Sequence, residues 1–447
     1  MFKRLIRNPY FIFLPFLLYY IYFIVINKWP TLYGDEVRYA NFAWRLLHGY
    51  YSTPAPYINL WNGPGYPIVI ALFMALKQHA LYITLANAVF MYLDVVFLYR
   101  SIKLLTNRKW ALFFSLPLAL YPNALSMLPI LYTEAFTGFL VAALVYAITL
   151  YHTKKSNKYL VLAGLILGYL TLTKVIFGYV SILGLMACAV LLLAKRNRKF
   201  HLASIKVLLI AFAVTMPYLV YTYHMTGKLL YWGNSGGMSL YWMSTPYDNE
   251  YGDWKVPDLS NHQYPELFKS PEGAAFLKKN HNAELTAILK KNGVAQDELF
   301  KQAAIRNIKQ HPLKFITNYY YNCSRMLFNF PYTYSYQDAA IVGNIIRGSL
   351  ILWVSLFCLA VTCINWRAVI YPVKFLLLIT GIYLLLSGAL SAYPRQLDIV
   401  VPVLLFWAAT TIFKMKKPSL RFTGNEDLGE INVIALADDK VEDKILE

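Results

Sequence analysis

Two adjacent carboxylates, Asp35 and Glu36, lie in the stretch KWPTLYGDEVRYANFAWRLLHGYY, just past the first apolar run of a mostly apolar chain. An ionised acid facing a cavity at membrane level can act as a general base, placed to take a proton from a hydroxyl arriving from outside. Further ionisable groups fall on the same predicted face: Glu134 in LPILYTEAF, Lys174 in LTLTKVIFGY and Arg395 in SAYPRQLDIVVP. Each alone reads as a snorkelling or turn residue. As a set on separate hairpins they point to a pathway or a site, because ionisable groups near hydrocarbon are expensive. The plainer reading of the pair itself is a helix cap, Asp35, followed by a solvated first-turn acid, Glu36.

The residues around the pair say how it is carried. After Gly34, the positions Glu36, Tyr39, Ala40, Ala43, Leu46 and Leu47 follow the i, i+3, i+4, i+7 spacing of an amphipathic helix. The spacing predicts a helix along the outer surface that starts at about Asp35, with Asp35 at its N-cap.

The chain has 447 residues, 58% of them hydrophobic, 17% aromatic and 15% charged, with a mean hydropathy of +0.43. Soluble domains carry roughly 25% charged residues, so the bilayer is the expected solvent. The formal net charge of +19 fits Lys- and Arg-loaded loops on one side of a membrane; no nucleic-acid partner is expected. Of four cysteines, Cys188, Cys358 and Cys363 lie in apolar runs and Cys323 has no evident partner, so no disulfide framework is expected.

Hydropathy places spans near 10–27, 81–99, 110–129, 131–151, 159–173, 175–194, 204–222, 345–364, 371–388 and 397–413. The N-terminal run exceeds a signal-peptide core and reads as a retained first span. Ten spans put Lys3, Arg4, Arg7, Arg100, Lys103, Arg108, Lys109, Lys154, Lys155, Lys158, Lys195, Arg196, Arg198 and Lys199 on one side, with both ends of the chain cytoplasmic. The apolar stretch 64–77 is too short to cross and is expected to re-enter or lie flat. The expected fold class is an all-α polytopic bundle with outer juxtamembrane helices and a small helical extracytoplasmic domain.

Four regions follow. Residues 1–224 form a transmembrane module with a first outer loop at 28–80, and 225–343 an outer polar domain. The last spans occupy 344–413, and 414–447 is an acidic cytoplasmic tail with one short helix near 434–446. Within 225–343, Ser270-Pro271-Glu272 reads as a helix start and Gly293 as its stop. A second helix is expected over 296–310, broken by His311-Pro312, and a third from Leu313. The segment 233–245 is rich in Gly, Asn and Ser, light enough to fold over a bound substrate.

The stretch YGDEVRYANFAWRLLHG resembles the first-loop aspartate–glutamate motif of the GT-C superfamily. Its nearest resemblance is to the bacterial branch related to protein O-mannosyltransferases and aminoarabinose transferases, family 39-like. WNGPGYPIVIALF, GLILGYLTLTKVIFGYV, YWGNSGGMSLYWMSTP, AIRNIKQHPLKFI and YPRQLDIVVPVLLFWA resemble later segments of that family in order. The resemblance implies a GT-C-like helix bundle in a bacterial inner membrane with its active site facing outward. It implies an inverting glycosyltransferase that moves a sugar, hexosyl or pentosyl, from a polyprenyl-phosphate donor to a hydroxyl acceptor on a lipid, glycan or protein. Asp35 resembles the family's catalytic base, Glu36 the acid beside it, and Arg395 a cation near the donor phosphate. Some relatives carry Lys-Pro-Pro where this chain has Asn62-Gly63-Pro64, so Lys174, Arg395 or a metal would take the place of that lysine.

Tyr39, Glu134, Asn62 and Asn234 complete the candidate substrate site. No cofactor is required by this reading, although a divalent cation on Asp35 or Glu36 is compatible with it. The chemistry suits a single displacement: phosphate is a good leaving group, so one base opposed by cations serves better than the two acids of a glycosidase. The competing readings are a transporter or flippase for a lipid-linked or amphipathic substrate, a lipid-linked glycan polymerase or ligase, and a non-enzymatic scaffold. NSGGMS lacks the strand and the Lys-Ser/Thr of a phosphate-cradling loop, and the histidines are too scattered for a zinc site.

Overall fold

The computed structural model describes residues 8–76, 80–194, 197–259, 271–335, 339 and 341–415. The expected cap at Ser270, the cations Lys3, Arg4, Arg7, Lys195 and Arg196, and the acidic tail lie outside them. Every regular element among the described residues is a helix, as expected for an all-α chain. Six helices are long and apolar enough to cross a membrane.

The helices run in order α1 Pro9–Ile12, α2 Leu14–Asn27, α3 Asp35–Leu47, α4 Gly65–Leu76, α5 Ala80–Leu105, α6 Arg108–Ala119 and α7 Pro122–Met127. There follow α8 Glu134–Lys154, α9 Asn157–Thr173, α10 Ile176–Leu193, α11 Arg198–Thr226 and α12 Gly236–Met243. The remainder are α13 Pro271–Leu289, α14 Gly293–Gln310, α15 Pro312–Phe328, α16 Ile341–Ile364, α17 Tyr371–Gly388, α18 Pro394–Asp398 and α19 Val401–Met415. The crossing candidates are α5, α8, α10, α11, α16 and α17; α2, α4, α9 and α19 are apolar but shorter.

Several expected boundaries are corrected. The span expected over 110–129 is two helices, α6 and α7, because Pro122 has no N–H to continue the ladder and begins a new helix instead. The span at 397–413 starts later, at Val401, after the separate short helix α18. The stretch at 64–77 forms α4, whose 12 residues reach about 18 Å, short of the ~30 Å hydrocarbon core. Gly293 does not stop α13; it opens α14 at φ 57°, and α13 has already ended at Leu289. The breaks at His311-Pro312 and the start of α15 lie within one or two residues of expectation.

Inside the bundle, close approach depends on small residues. Gly164 and Gly168, four apart on α9, face α11, where a Cβ on Gly168 would stand 2.5 Å from Val214 Cβ and 2.9 Å from the Ala211 carbonyl. Helices in lipid gain little from apolar burial against each other, so such small-residue contacts carry much of their association. By contrast α16 turns Ile346, Leu350 and Trp353 outward, as a lipid-facing helix would.

The segment 233–245, expected as a light lid, contains the packed helix α12, Gly236–Met243. Gly237 donates its N–H to Asp297 Oδ1 at 2.7 Å, and a side chain at 237 would collide with the Asp297 carbonyl. Gly237 thus permits contact with α14, and Gly233 permits contact with the Leu60 carbonyl of the first loop.

One buried charge ties the polar domain to the bundle. Arg325 on α15 is fully buried. Its guanidinium donates to the carbonyls of Pro331 (2.7 Å), Tyr251 (2.7 Å) and Ala392 (3.2 Å), and to Asn322 Oδ1. Asp253, held by Lys255 at 2.8 Å, lies 3.9 Å away. Ala392 is two residues ahead of α18, so this arginine fixes the approach to the helix that bears Arg395.

Candidate active site

The acid pair stands where a left-handed turn meets a helix. Gly34, at φ 55°, is the N-cap of α3, a backbone conformation that costs glycine little. Asp35 is therefore the first helical residue and not the N-cap expected from the spacing, though it still benefits from the positive end of the helix dipole. Arg38, one turn on, donates to Asp35 Oδ1 at 2.6 Å, and Arg395 from α18 reaches Asp35 Oδ2 at 3.3 Å. Arg38 also donates to Asn62 Oδ1 at 2.7 Å, and Asn62 donates to the Tyr39 hydroxyl at 3.1 Å.

A second pair faces this one. Glu134 opens α8 and accepts from Lys174 at 3.0 Å; Lys174 is the C-cap of α9. Asn62 is brought to the same place by glycines on either side of Pro64. A side chain at Gly63 would collide with the Leu172 carbonyl, and one at Gly65 would stand 2.5 Å from Thr173 Oγ1. The loop thus lies directly against the end of α9. Burial works against the charge of Arg395, but the carboxylates of Glu134 and Asp35 outweigh it and hold its pKa above the ordinary arginine value.

These side chains line two adjoining cavities, of about 600 Å³ and about 230 Å³. Asp35, Arg38, Trp61 and Arg395 belong to both, and with Ser235, Ser239, Ser391 and Gln396 they form the shared wall. The smaller lobe adds Tyr39, Asn62, Glu134 and Lys174, so three cations face two carboxylates there. The larger lobe adds Asp398, Asn123 and Tyr332. Arg38 lies over the Trp61 ring at 5.3 Å and Arg395 over Tyr132 at 5.7 Å, within the range of cation–π attraction.

Six of the eight residues named from the sequence therefore meet: Asp35, Tyr39, Asn62, Glu134, Lys174 and Arg395. Two do not. Glu36 is buried on the other side of α3, where Lys28 (2.6 Å) and the N–H of Leu131 (2.7 Å) occupy Oε1 and the N–H of Tyr33 (3.2 Å) reaches Oε2. Neighbouring residues on a helix point about 100° apart, so Glu36 clamps the loop to the α7–α8 turn and is not in the cavity. Asn234 accepts the N–H of Leu60 at 3.0 Å and donates to the Ile58 carbonyl at 2.9 Å; it bridges two loops and does not line either lobe. Arg38, Trp61 and Asp398 were missed. The i, i+3 spacing from Asp35 to Arg38 was a usable signal; nothing local marked Asp398.

Asp398 accepts from the Tyr121 hydroxyl at 2.6 Å and from Asn123 at 3.2 Å. Burial pushes its pKa up to about 6 from the ordinary 3.8, against those hydrogen bonds, which favour the charge. The folded protein then holds a proton that the unfolded chain releases, so stability falls as pH rises through that window. Thermal unfolding in detergent checks this: the midpoint of the natural protein should drop relative to Asp398→Asn between about pH 4 and 6. A pH-independent difference would count against it.

The donor set does not fit a resident divalent cation at the acid pair. Asp35 is taken up by two guanidiniums, and Glu36 by a lysine and two backbone N–H groups. Among the described residues no three His, Cys, Asp or Glu side chains cluster.

Residues 62–221 match the family model of dolichyl-phosphate-mannose-protein mannosyltransferases. No curated protein sequence matches the chain. Among solved structures the fold is similar to the oligosaccharyltransferase AglB from Archaeoglobus fulgidus, in complex with an inhibitory peptide and a dolichol-phosphate (12% identity, TM-score 0.48, 89% of this chain and 50% of that one). It is also similar to ArnT from Cupriavidus metallidurans bound to undecaprenyl phosphate (13% identity, TM-score 0.41, 90% and 77%). The chain spans about half the length of the archaeal oligosaccharyltransferase. Over residues 62–221, then, the chain carries the sequence pattern of the dolichyl-phosphate-mannose-protein mannosyltransferase family, a match that begins after the acid pair of the first loop.

Proposed function

We propose that the protein is an inverting glycosyltransferase that moves a sugar from a polyprenyl-phosphate donor to a hydroxyl acceptor, with its site at the outer face of the membrane. The observation that carries the reading is Asp35 on the wall common to two lobes, between two arginines. A sugar phosphodiester bears one negative charge, which complements the surplus of one cation in the smaller lobe. The acceptor belongs in the larger lobe, whose formal charges balance. The match of residues 62–221 to a mannosyltransferase family supports the same class.

In this scheme the donor phosphate draws Arg395 and Lys174 toward it, which releases Asp35 Oδ2. The acceptor oxygen attacks the anomeric carbon as its proton passes to Asp35. The C–O bond to phosphate breaks with its electron pair on the phosphate oxygen, where Arg395 meets the developing charge. One displacement inverts the anomeric centre. Lys174 and Glu134 hold each other in register below the phosphate, and Tyr39 and Asn62 orient Arg38.

The test is to incubate purified protein with a panel of polyprenyl-phosphate sugars and follow loss of sugar from the carrier. Turnover of at least one donor supports the reading, and none across hexosyl and pentosyl donors overturns it. Arg395→Ala should raise the donor KM about tenfold or more, since a charge-assisted phosphate contact is lost. An unchanged dependence of rate on donor concentration would remove Arg395 from the donor site.

A further inference from the structure

The polar domain holds a separate cavity of about 310 Å³, at the lower end of the ~300–1,000 Å³ usual for small-ligand sites. Tyr332 lines both this cavity and the larger lobe of the candidate active site, so the two are neighbours across one ring. We propose that it is a saccharide subsite that holds a sugar unit of a glycan acceptor, one position away from the unit that receives the transferred sugar. The inference rests on the glycosyltransferase reading and names the acceptor class.

The walls fit that ligand. Phe276 and Tyr334 stand face to face with centroids 5.7 Å apart and planes 23° from parallel, and Tyr251 and Tyr332 add two further rings. The C–H face of a pyranose carries slight positive charge and lies well on the negative face of an aromatic ring. Around the rings, Asn249, Glu272 and Ser335 supply donors and acceptors for hydroxyl edges. Glu272 is the sole formal charge among the described lining residues. Such a lining disfavours a phosphate or an acidic peptide and suits a neutral or amino-bearing sugar.

Tyr334 packs against the core of the polar domain, and its position is fixed by more than that packing. Tyr334 sits at φ 50°, a left-handed conformation that costs a bulky residue and tends to persist at ligand sites. Its hydroxyl is tethered to Glu250 and Asn280, each at 3.3 Å. Glu250 is in turn fixed by His281 at 2.8 Å. Gly273 makes room for the strained turn, since a Cβ there would stand 2.6 Å from Tyr334 Cβ. Phe276 is about half exposed at 49%, so its ring is presented to solvent rather than spent in the core.

Saturation-transfer NMR on the full chain in nanodiscs tests this without any donor. The probes are methyl glycosides of glucose, mannose, N-acetylglucosamine and 4-aminoarabinose, with phosphocholine and an acetylated tetrapeptide alongside. At least one glycoside should bind, and Phe276→Ala and Tyr334→Ala should each weaken it about tenfold or more, the scale on which loss of a stacking ring acts on bases. Tyr334→Phe, which keeps the ring, and Asp35→Asn should retain it. Absence of glycoside binding, binding unaffected by loss of both rings, or binding of phosphocholine or the peptide alone would overturn the proposal. Donor turnover measured in the same preparation separates the outcomes: turnover without glycoside binding sinks only the subsite, whereas absence of turnover sinks the enzyme reading.

Discussion

In the Asp35→Asn variant, sugar transfer should fall by about 10²–10⁴-fold, the contribution typical of a positioned general base. The amide keeps the shape of the carboxylate but cannot take the acceptor's proton at neutral pH. The fold should tolerate the change. The Asp35 side chain is a quarter exposed and its two arginine partners are about a third exposed, so water screens much of what the pairs contribute. Donor consumption and thermal unfolding, measured on the same purified sample, check both halves. Full turnover in this variant would leave the proposed chemistry without its base.

Arg325→Met should produce the largest loss of stability of any single change considered. Breaking a buried charged network from one side costs about 3–5 kcal/mol, and here three carbonyls lose their donor at once. Lys255 remains on Asp253, which limits but does not cancel the penalty. The damage should spread to Ala392 and hence to the placement of Arg395. Thermal unfolding in detergent reads the effect directly; a midpoint equal to that of the natural protein would show that the network is dispensable.

The sequence made the architecture legible because apolar length is what a bilayer demands of a helix. Runs such as 371–388 were placed to the residue, while 110–129 was not, since hydropathy does not register that Pro122 starts a new helix. The candidate site was legible through charge that apolar surroundings make costly: Glu134, Lys174 and Arg395, distant in the chain, do meet at one cavity. Direction was harder to read. Asp35 and Glu36 are adjacent letters, yet only the first lines the cavity, and the burial that distinguishes them comes from Lys28 and Leu131. Asn234 looked like a loop residue available for substrate because its partners, Ile58 and Leu60, lie more than 170 positions away. Asp398 carried no local mark, for its surroundings are assembled from α7 and α18.

The missing lysine at position 62 has an answer in the same geometry. Asn62 accepts from Arg38, so a guanidinium reaches the spot from α3 rather than from the loop. That change of source matters when the donor enters. Acid and countercharge ride on one helical turn, so when the longer link to Arg395 parts, Asp35 keeps a guanidinium beside it and is not left alone in a medium that punishes solitary ions.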